Sequence, residues 1–491
     1  MVARRLAAVL IPLLAATGCA GSSLEPWHTA RLSDDFHAGD DIGTFEEYLA
    51  VEQRAFEELD DEVYAKVGTG PENSLVRFSR GSASDPETFP QNYNRSYVLD
   101  VESPRGGVLM LHGMSDSPYS LRALAESLNQ AGFHVVALRL PGHGTAPAAL
   151  TRARWQDFAA AVELAMTYLH DAVGPRPVHM VGFSNGGTVA LNYALDALDA
   201  PDRPQAASLV LIAPAIGVTP AAALAGPKNW LGAIPGLGRF RYSSMGPEFD
   251  PFRYRSFPTN AAKQTHRLSL RVASGVARVE RTGRGTMMPP ILVIKSAVDS
   301  TVSNDAVIDR LLGRLPDNGN EFILFDVNRR AVTKSVIVED PGPFARRLID
   351  SSSLPFAVTL ISNESTESDR VVANHKPAFA AEFSHPALLE ETWPAEVVSL
   401  SHIALTFPPD DPLYGRYRPE DGSRLYLGSV SLRGERGILR IPDNWFTRQR
   451  YNPFYGYMDK RILEWCGGWP DKQPADSSLA ESRQPPVATE P

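Results

Sequence analysis

Val181-Gly182-Phe183-Ser184-Asn185-Gly186-Gly187 is the most informative stretch of the 491-residue chain, because it joins an apolar run to a helix-compatible run. A serine at such a sharp turn takes a strained backbone conformation, and Gly182 and Gly186 are needed because larger side chains would collide with neighbouring elements. The helix that follows directs free N–H groups and a partial positive charge at developing negative charge. The stretch therefore predicts that Ser184 is a nucleophile.

Short apolar runs lie on both sides of this stretch, and each is closed by glycine or proline. These runs are residues 96–101, 107–111, 134–140, 178–183, 209–213 and 291–295. Helical patterns lie between several of them, at residues 120–131 and 155–170. The alternation predicts an α/β fold with a mostly parallel central sheet, helices on both faces and ligands at the carboxyl ends of the strands.

Two further motifs lie upstream, each at the end of an apolar run: Leu111-His112-Gly113-Met114 and Leu140-Pro141-Gly142-His143-Gly144. Followed by the serine turn, they resemble the α/β-hydrolase fold superfamily, near its serine esterase, monoacylglycerol-lipase-like and aminopeptidase-like branch. The resemblance spans residues 96–216 and 286–326 and implies an α/β-hydrolase fold.

The resemblance also implies an oxyanion hole. Its donors would be the backbone N–H groups of Met114 and of Asn185, the residue after the nucleophile. Relatives often have methionine or glutamine where Asn185 stands, but only its backbone should act. The same resemblance makes His112 and His143 residues that shape loops rather than catalytic bases.

A serine hydroxyl needs a base, and the base needs a carboxylate that fixes its tautomer. In this fold they follow the serine in the order acid, then histidine. Residues 290–299 form an apolar run that ends in a short turn with Asp299, which resembles the family's acid position. Asp305, near the start of the next helical run, is the alternative.

The histidine is less directly indicated. After the next predicted strand, residues 321–326, no histidine occurs until His375, so a second insertion separates the strand from the base. The candidates are His375, His385 and His402. His402 is favoured because it follows a β-branched, strand-like run, residues 395–401, and precedes a loop.

Composition and patterning divide the chain into nine segments. They are a lipoprotein-type signal peptide (1–19), a tether (20–43), an N-terminal helical segment (44–95), the first part of the hydrolase core (96–216), a cap (217–285), the second part of the core (286–326), an insertion (327–395), a C-terminal core with the catalytic histidine (396–467) and a disordered tail (468–491). The cap contains a basic amphipathic helix. Its apolar face could pack on the body, or its basic face could approach an anionic membrane or lipid headgroup.

The N-terminus predicts export. Arg4 and Arg5 precede an apolar run and Thr17-Gly18-Cys19, which resembles the lipobox of bacterial lipoproteins, in which Cys19 would carry lipid. An ordinary cleaved signal peptide is the alternative. A formal net charge of −9 argues against nucleic acid as a partner, since binding phosphates needs a cationic face.

Together these features predict a lipid-anchored serine hydrolase of the bacterial envelope. It would cleave carboxylic esters of apolar or lipid-like substrates through an acyl-enzyme, with no metal or organic cofactor. Two alternatives remain: an aminopeptidase-like enzyme that uses the same triad, and a non-catalytic envelope lipoprotein with a decayed hydrolase fold. The sequence leaves the oligomeric state open.

Overall fold

The computed structural model describes residues 24–217, 237–299, 301–330, 342–395, 397–418, 425–431 and 447–468. The predicted signal peptide with Cys19 and the tail after residue 468 lie outside these residues. Among the described residues, no helix combines the length and the apolar composition needed to cross a bilayer.

The chain alternates strands and helices as predicted. The strands are β1 (Tyr97–Leu99), β2 (Gly106–Leu111), β3 (Phe133–Leu138), β4 (Val178–Phe183), β5 (Ser208–Ile212), β6 (Tyr242–Ser244), β7 (Phe257–Pro258), β8 (Ile291–Ser296), β9 (Glu321–Phe325), β10 (Ala357–Asn363), β11 (Arg370–Lys376), β12 (Ala387–Thr392), β13 (Ser429–Ser431) and β14 (Thr447–Gln449). The α-helices are α1 (Pro26–Thr29), α2 (Phe45–Glu62), α3 (Arg122–Gln130), α4 (Trp155–Val173), α5 (Asn185–Ala197), α6 (Thr259–Arg281), α7 (Asn304–Arg310), α8 (Gly342–Asp350) and α9 (Tyr455–Gly467).

A ten-stranded sheet forms the centre, in the order β1-β3-β2-β4-β5-β8-β9-β10-β11-β12. Neighbouring strands from β3 to β10 are parallel, whereas β1, β11 and β12 pair antiparallel to their neighbours. The predicted α/β class with a mostly parallel sheet is confirmed. The carboxyl ends of the parallel strands share one edge of the sheet, where the loops after β2, β4 and β8 meet.

Helices cover both faces of the sheet. Successive side chains of β2 point to opposite faces, so that Leu109 and Leu111 join the core under α2, α4, α5 and α6, while Val108 and Met110 join the core under α3 and α9. Strands buried on both faces read as continuous apolar runs, because neither face meets water. This explains why the central strands were legible in the sequence.

The insertion before His402 widens the sheet. The sequence indicated one strand-like run there, which corresponds to β10, but the structure forms three strands, β10, β11 and β12. Strand β10 pairs parallel to β9, and the other two strands continue to the sheet edge. Strand β12 is mostly exposed, so it lacks the apolar pattern by which the buried strands are recognised.

The segment predicted as a tether packs on the body where the structure describes it, from residue 24. Trp27, Leu32 and Phe36 are buried, and the Asp35 carboxylate accepts two hydrogen bonds from the buried guanidinium of Arg139, at 2.6 and 3.1 Å. The tether interpretation of these residues is therefore wrong. A few buried side chains are enough to fix this otherwise polar segment to the body.

The basic helix also differs from the expected cap. Helix α6 packs on α5, and its apolar face enters the main core. Arg271 and Arg278 form ion pairs with Asp196 and Asp199 of the neighbouring segment, each at 2.5 Å. The helix thus belongs to the layer that flanks the sheet, and two of its basic side chains are already neutralised.

We expect Asp35→Asn to lower the free energy of unfolding by about 3 kcal/mol at neutral pH, because it removes one of the charges that compensate a buried guanidinium. Burial alone would raise the pKa of Asp35, but Arg139 holds this pKa below its ordinary value. Stability from a carboxylate with a lowered pKa is present above the unfolded-state value and is lost as the pH falls below about 4. The difference between the two proteins should therefore shrink at about pH 3, as measured by urea unfolding.

The matched control is Asp34→Asn, since Asp34 is exposed next to Asp35. We expect it to change the unfolding free energy by less than about 0.5 kcal/mol. Equal effects of the two substitutions would contradict the role of the Asp35–Arg139 pair.

Candidate active site

Ser184 lies on a strained turn between β4 and α5. Its φ of 53° and ψ of −115° fall outside the regions that L-residues normally occupy. Two backbone hydrogen bonds hold this conformation: the Ser184 N–H donates to Ile212 O at 2.8 Å, and the Ser184 carbonyl accepts from the Ala215 N–H at 3.0 Å. The strand β5 next to the turn therefore maintains the strain, as at other functional sites.

The two glycines of the turn stand where side chains have no room. A Cβ at Gly186 would overlap the carbonyl oxygen of Leu111 at the end of β2. A Cβ at Gly182 would lie 2.5 Å from the Cα of Gly187. Such distances require backbone to move, so both positions exclude any side chain, as the sequence indicated.

The loop after β2 contacts the serine turn. A Cβ at Gly113 would lie 3.4 Å from the Ser184 Cβ, and the loop turns sharply at Ser115, whose φ is 62°. Within the described part of the chain, neither the Met114 N–H nor the Asn185 N–H donates a hydrogen bond. Two N–H groups without an acceptor, next to the serine turn, are what the prediction of an oxyanion hole from Met114 and Asn185 needs.

His112 and His143 tie these loops together. The His112 Nε2 accepts from the Leu140 N–H at 3.0 Å, and its Nδ1 lies 2.8 Å from Gly113 O. The His143 ring packs against the His112 ring with centroids 4.9 Å apart. Burial lowers the pKa of His143 to about 4 and holds the pKa of His112 well below its ordinary value. The hydrogen bonds and the ring contact of these two histidines join the loop after β2 to the loop after β3, as the resemblance implied for residues that shape loops.

Asp299 lies in the turn after β8, and its carboxylate is fully enclosed. One oxygen, Oδ1, accepts from the N–H groups of Thr301 at 2.9 Å and Val302 at 3.1 Å. Burial alone would raise the pKa of Asp299, but His402 and Lys295, together with these bonds, hold it well below its ordinary value. Asp299 is therefore ionised throughout the neutral pH range.

The structure brings His402 to this carboxylate. The His402 Nδ1 lies 2.9 Å from Asp299 Oδ2, and the His402 side chain is 7% exposed. Its ring centroid lies 5.1 Å from that of Phe183, the residue before Ser184. An Nδ1–H donated to a carboxylate leaves Nε2 unprotonated, which is the tautomer that a general base needs.

The rival residues lie elsewhere. His375 is on β11, where its Nδ1 is 3.0 Å from Thr359 Oγ1, and His385 is an exposed residue before β12. Asp305 is exposed at the start of α7 and forms an ion pair with Arg347 at 3.0 Å. None of the three contacts the serine turn among the hydrogen bonds of the described residues.

His402 reaches the site through a loop rather than a strand. The expectation of a strand is wrong for residue 395 and residues 397–401, which form no strand, because carbonyl groups there bond to side chains and to the backbone that follows β9. Val397 O accepts from the indole N–H of Trp393 at 2.7 Å, and Val398 O accepts from the Asn328 N–H at 2.8 Å. Asn328 follows β9, so the returning chain is fastened to the strand after which the insertion began.

A polar bridge that the sequence does not indicate joins the loops on either side of the site. The Tyr119 hydroxyl donates to Asp411 Oδ1 at 3.1 Å, and Arg122 Nη2 lies 3.5 Å from Asp411 Oδ2. Tyr119 follows the Met114 loop, whereas Asp411 follows His402. No pattern in the sequence connects residues that are 292 positions apart.

Lys295 is a further residue that was not singled out, although the sequence carries a signal for it. It is a lysine inside the apolar run that forms β8, and its Nζ lies 3.4 Å from Asp299 Oδ2. A charge in a buried strand requires a partner.

Residues 107–241 match the family model described as alpha/beta hydrolase fold. Over 174 residues the chain is 29% identical to a thermostable monoacylglycerol lipase of Bacillus sp. (strain H-257). The matched part is 35% of this chain and 65% of the length of that relative.

Similar solved structures include a monoacylglycerol lipase of Paleococcus ferrophilus, with 21% identity over 47% of this chain and 89% of that chain and a TM-score of 0.36. Another is Est1E of Butyrivibrio proteoclasticus with bound ferulic acid, with 15% identity over 47% of this chain and 85% of that chain and a TM-score of 0.32.

The family match contains the serine turn and the Met114 loop, whereas Asp299 and His402 follow it in the chain. Their placement therefore comes from the structure alone. Strand order, helix layers, the strained serine turn and the family match over residues 107–241 agree, and the chain has an α/β-hydrolase fold.

Proposed function

We propose that the chain is a serine hydrolase that cleaves carboxylic ester bonds of apolar or lipid-like substrates through an acyl-enzyme. The observation that carries this proposal is the hydrogen bond between His402 Nδ1 and Asp299, formed beside the strained turn of Ser184. A carboxylate, an imidazole and a serine in this order are the parts that nucleophilic acyl transfer requires.

In the proposed reaction, Ser184 Oγ attacks the ester carbonyl carbon while His402 Nε2 takes the hydroxyl proton. The carbonyl oxygen becomes an oxyanion, which the N–H groups of Met114 and Asn185 stabilise. His402 then gives its proton to the leaving alcohol as the C–O bond breaks, and Ser184 keeps the acyl group. Water, deprotonated by His402, releases the acid by the same steps, and Asp299 stabilises the imidazolium each time.

An aromatic cluster supports the assignment of apolar substrates. It joins the loop after Met114, the segment before β7 and the loop after His402. Its buried members are Tyr119, Phe252, Phe407, Leu413, Tyr414 and Leu427. The Tyr119 and Phe252 rings stack with centroids 4.3 Å apart. These side chains pack against one another, so the cluster makes the loops that flank the proposed site apolar, and the curated relative is a monoacylglycerol lipase.

We expect a fluorophosphonate probe to label Ser184 in the wild-type protein and not in Ser184→Ala, because the probe reacts with activated serines. His402→Ala should slow labelling at least about 10³-fold, since it removes the base. Mass spectrometry of the labelled peptide measures both outcomes.

His385→Ala is the matched control, because His385 is exposed and away from Asp299. It should label at a rate within about twofold of wild type. An unlabelled Ser184 in folded wild-type protein would favour the non-catalytic alternative. Slower labelling of Ser184 in His385→Ala than in His402→Ala would exclude His402 as the base.

We expect kcat/KM for p-nitrophenyl acyl esters to exceed that for aminoacyl p-nitroanilides by at least about 100-fold, with both activities absent from Ser184→Ala. The loops that flank the proposed site are built on apolar side chains, whereas an aminoacyl substrate needs a partner for its ammonium group. Parallel steady-state assays compare the two. A preference for the anilides would make the chain a peptidase that uses the same residues.

We also propose that the protein is exported and anchored to the bacterial envelope through lipid on Cys19. The support is the charged, apolar and small-residue order of the first nineteen residues. Acyl chains contribute about 0.8 kcal/mol per buried CH₂, so two or more of them hold a protein on a membrane. A tethered hydrolase would meet lipid esters at the surface where they occur.

For this anchor we expect Cys19→Ala to move the protein from the membrane fraction to the soluble fraction and to abolish labelling by a palmitate analogue, because the thiol that would accept lipid is removed. Cys466→Ala, at a buried cysteine, is the control and should keep the protein in the membrane fraction. Membrane association of Cys19→Ala equal to that of the control would contradict the anchor.

A further inference from the structure

Lys295 is a buried lysine beside the acid of the proposed triad. It lies near the carboxyl end of β8, in the middle of the sheet, and its side chain is 0% exposed, as is that of Asp299. The Nζ donates to the Val302 carbonyl at 2.9 Å and lies 3.4 Å from Asp299 Oδ2. The same Oδ2 faces Nδ1 of His402 at 2.9 Å. The carboxylate oxygen is thus shared by an ammonium and an imidazole.

Burying a lysine lowers the free energy of unfolding unless its ammonium group has a partner. Removing an ammonium from water is unfavourable, and a nearby carboxylate only partly offsets the cost. The bonds from Thr301 and Val302 already satisfy the other oxygen, Oδ1. Lys295 therefore adds a full positive charge to an acid whose orientation is otherwise fixed by backbone donors.

We propose that Lys295 is a positioning residue that keeps Asp299 ionised and disfavours protonation of His402, so that the imidazole stays a free base at lower pH. This inference rests on the proposed function. It assigns to Lys295 no contact with substrate and no share in the bond changes.

The charged groups on neighbouring elements are paired elsewhere. On α7, Asp305 forms an ion pair with Arg347, and after β9, Asp326 forms one with Arg329. The Asn304 side chain donates to the carbonyls of Ser296 and Ala297 and carries no charge. Asp299 and, through it, His402 are thus the ionisable groups that the ammonium contacts.

The pKa shifts have the direction that this pairing requires. Burial lowers the pKa of Lys295, and Asp299 partly restores it. For Asp299, burial would raise the pKa, but His402 and Lys295 bring it below its ordinary value. Each group therefore favours the charged form of the other.

The sign of the effect on activity follows from charge repulsion. Hydrolysis needs the neutral imidazole, and a fixed cation near Asp299 makes a second positive charge on His402 less favourable. Without the ammonium, the full negative charge of Asp299 would favour the imidazolium. The acid limb of the pH profile would then move to higher pH.

The test is Lys295→Met in the full chain, with kcat/KM for a p-nitrophenyl ester measured from acid to alkaline pH. We expect the midpoint of the acid limb to rise by about one pH unit, which lowers kcat/KM about tenfold on the limb and less on the alkaline plateau. Lys295→Arg keeps the charge and should keep the wild-type midpoint.

Lys376→Met is the matched control. Lys376 is also buried, but its Nζ donates to the carbonyls of Leu348, Ile349 and Ser351 at the end of α8. It should lower stability without moving the midpoint. A role of Lys295 in loop structure alone would lower kcat/KM equally at every pH, which would overturn the proposal.

The experiments distinguish failure of the proposed function from failure of the inference on Lys295. If wild-type Ser184 is not labelled by a fluorophosphonate, the proposed function itself fails. If Ser184 is labelled but the midpoint stays unchanged in Lys295→Met, only the inference on Lys295 fails. Should Lys295→Met not fold, Lys295→Arg still decides, because a folded Arg variant with a shifted midpoint contradicts the proposal.

Discussion

The hydrogen bond between His402 and Asp299 is the interaction on which the candidate site depends. It joins residues 103 positions apart, one in the turn after β8 and the other in a loop reached only after four further strands, β9 to β12. A serine on a strained turn is chemically inert until an oriented imidazole stands beside it. The local geometry of β4 and α5 would therefore have no catalytic consequence without this long-range contact.

The insertion explains how that contact is possible. The chain leaves β9, adds β10, β11 and β12 to the sheet, and returns across the end of β9, where Asn328 and Trp393 bind the Val397–Val398 backbone. The return path places His402 over the end of β8. A wider sheet thus coexists with a site at the usual edge, because the returning loop is fastened by hydrogen bonds rather than by a strand ladder.

The sequence predicted the features whose residues lie close together along the chain, and not those whose residues are far apart. The serine turn, its glycines and Asp299 were legible because strand, turn and acid follow one another directly. His402 was selected from three candidates on a strand-like run that proved to be a loop, so the residue that meets Asp299 was found although its local structure was not. The ion pair of Asp35 with Arg139 and the bond of Tyr119 to Asp411 join residues 104 and 292 positions apart. Only tertiary structure brings such residues together.

The most direct measurement is a crystal structure of the protein after reaction with a fluorophosphonate ester. We expect phosphorus bound to Ser184 Oγ, a phosphonyl oxygen within hydrogen-bond distance of the Met114 and Asn185 N–H groups, and His402 Nε2 about 3 Å from Oγ. An adduct on Ser184 with a different imidazole beside it, or with no imidazole within reach, would contradict the proposed triad.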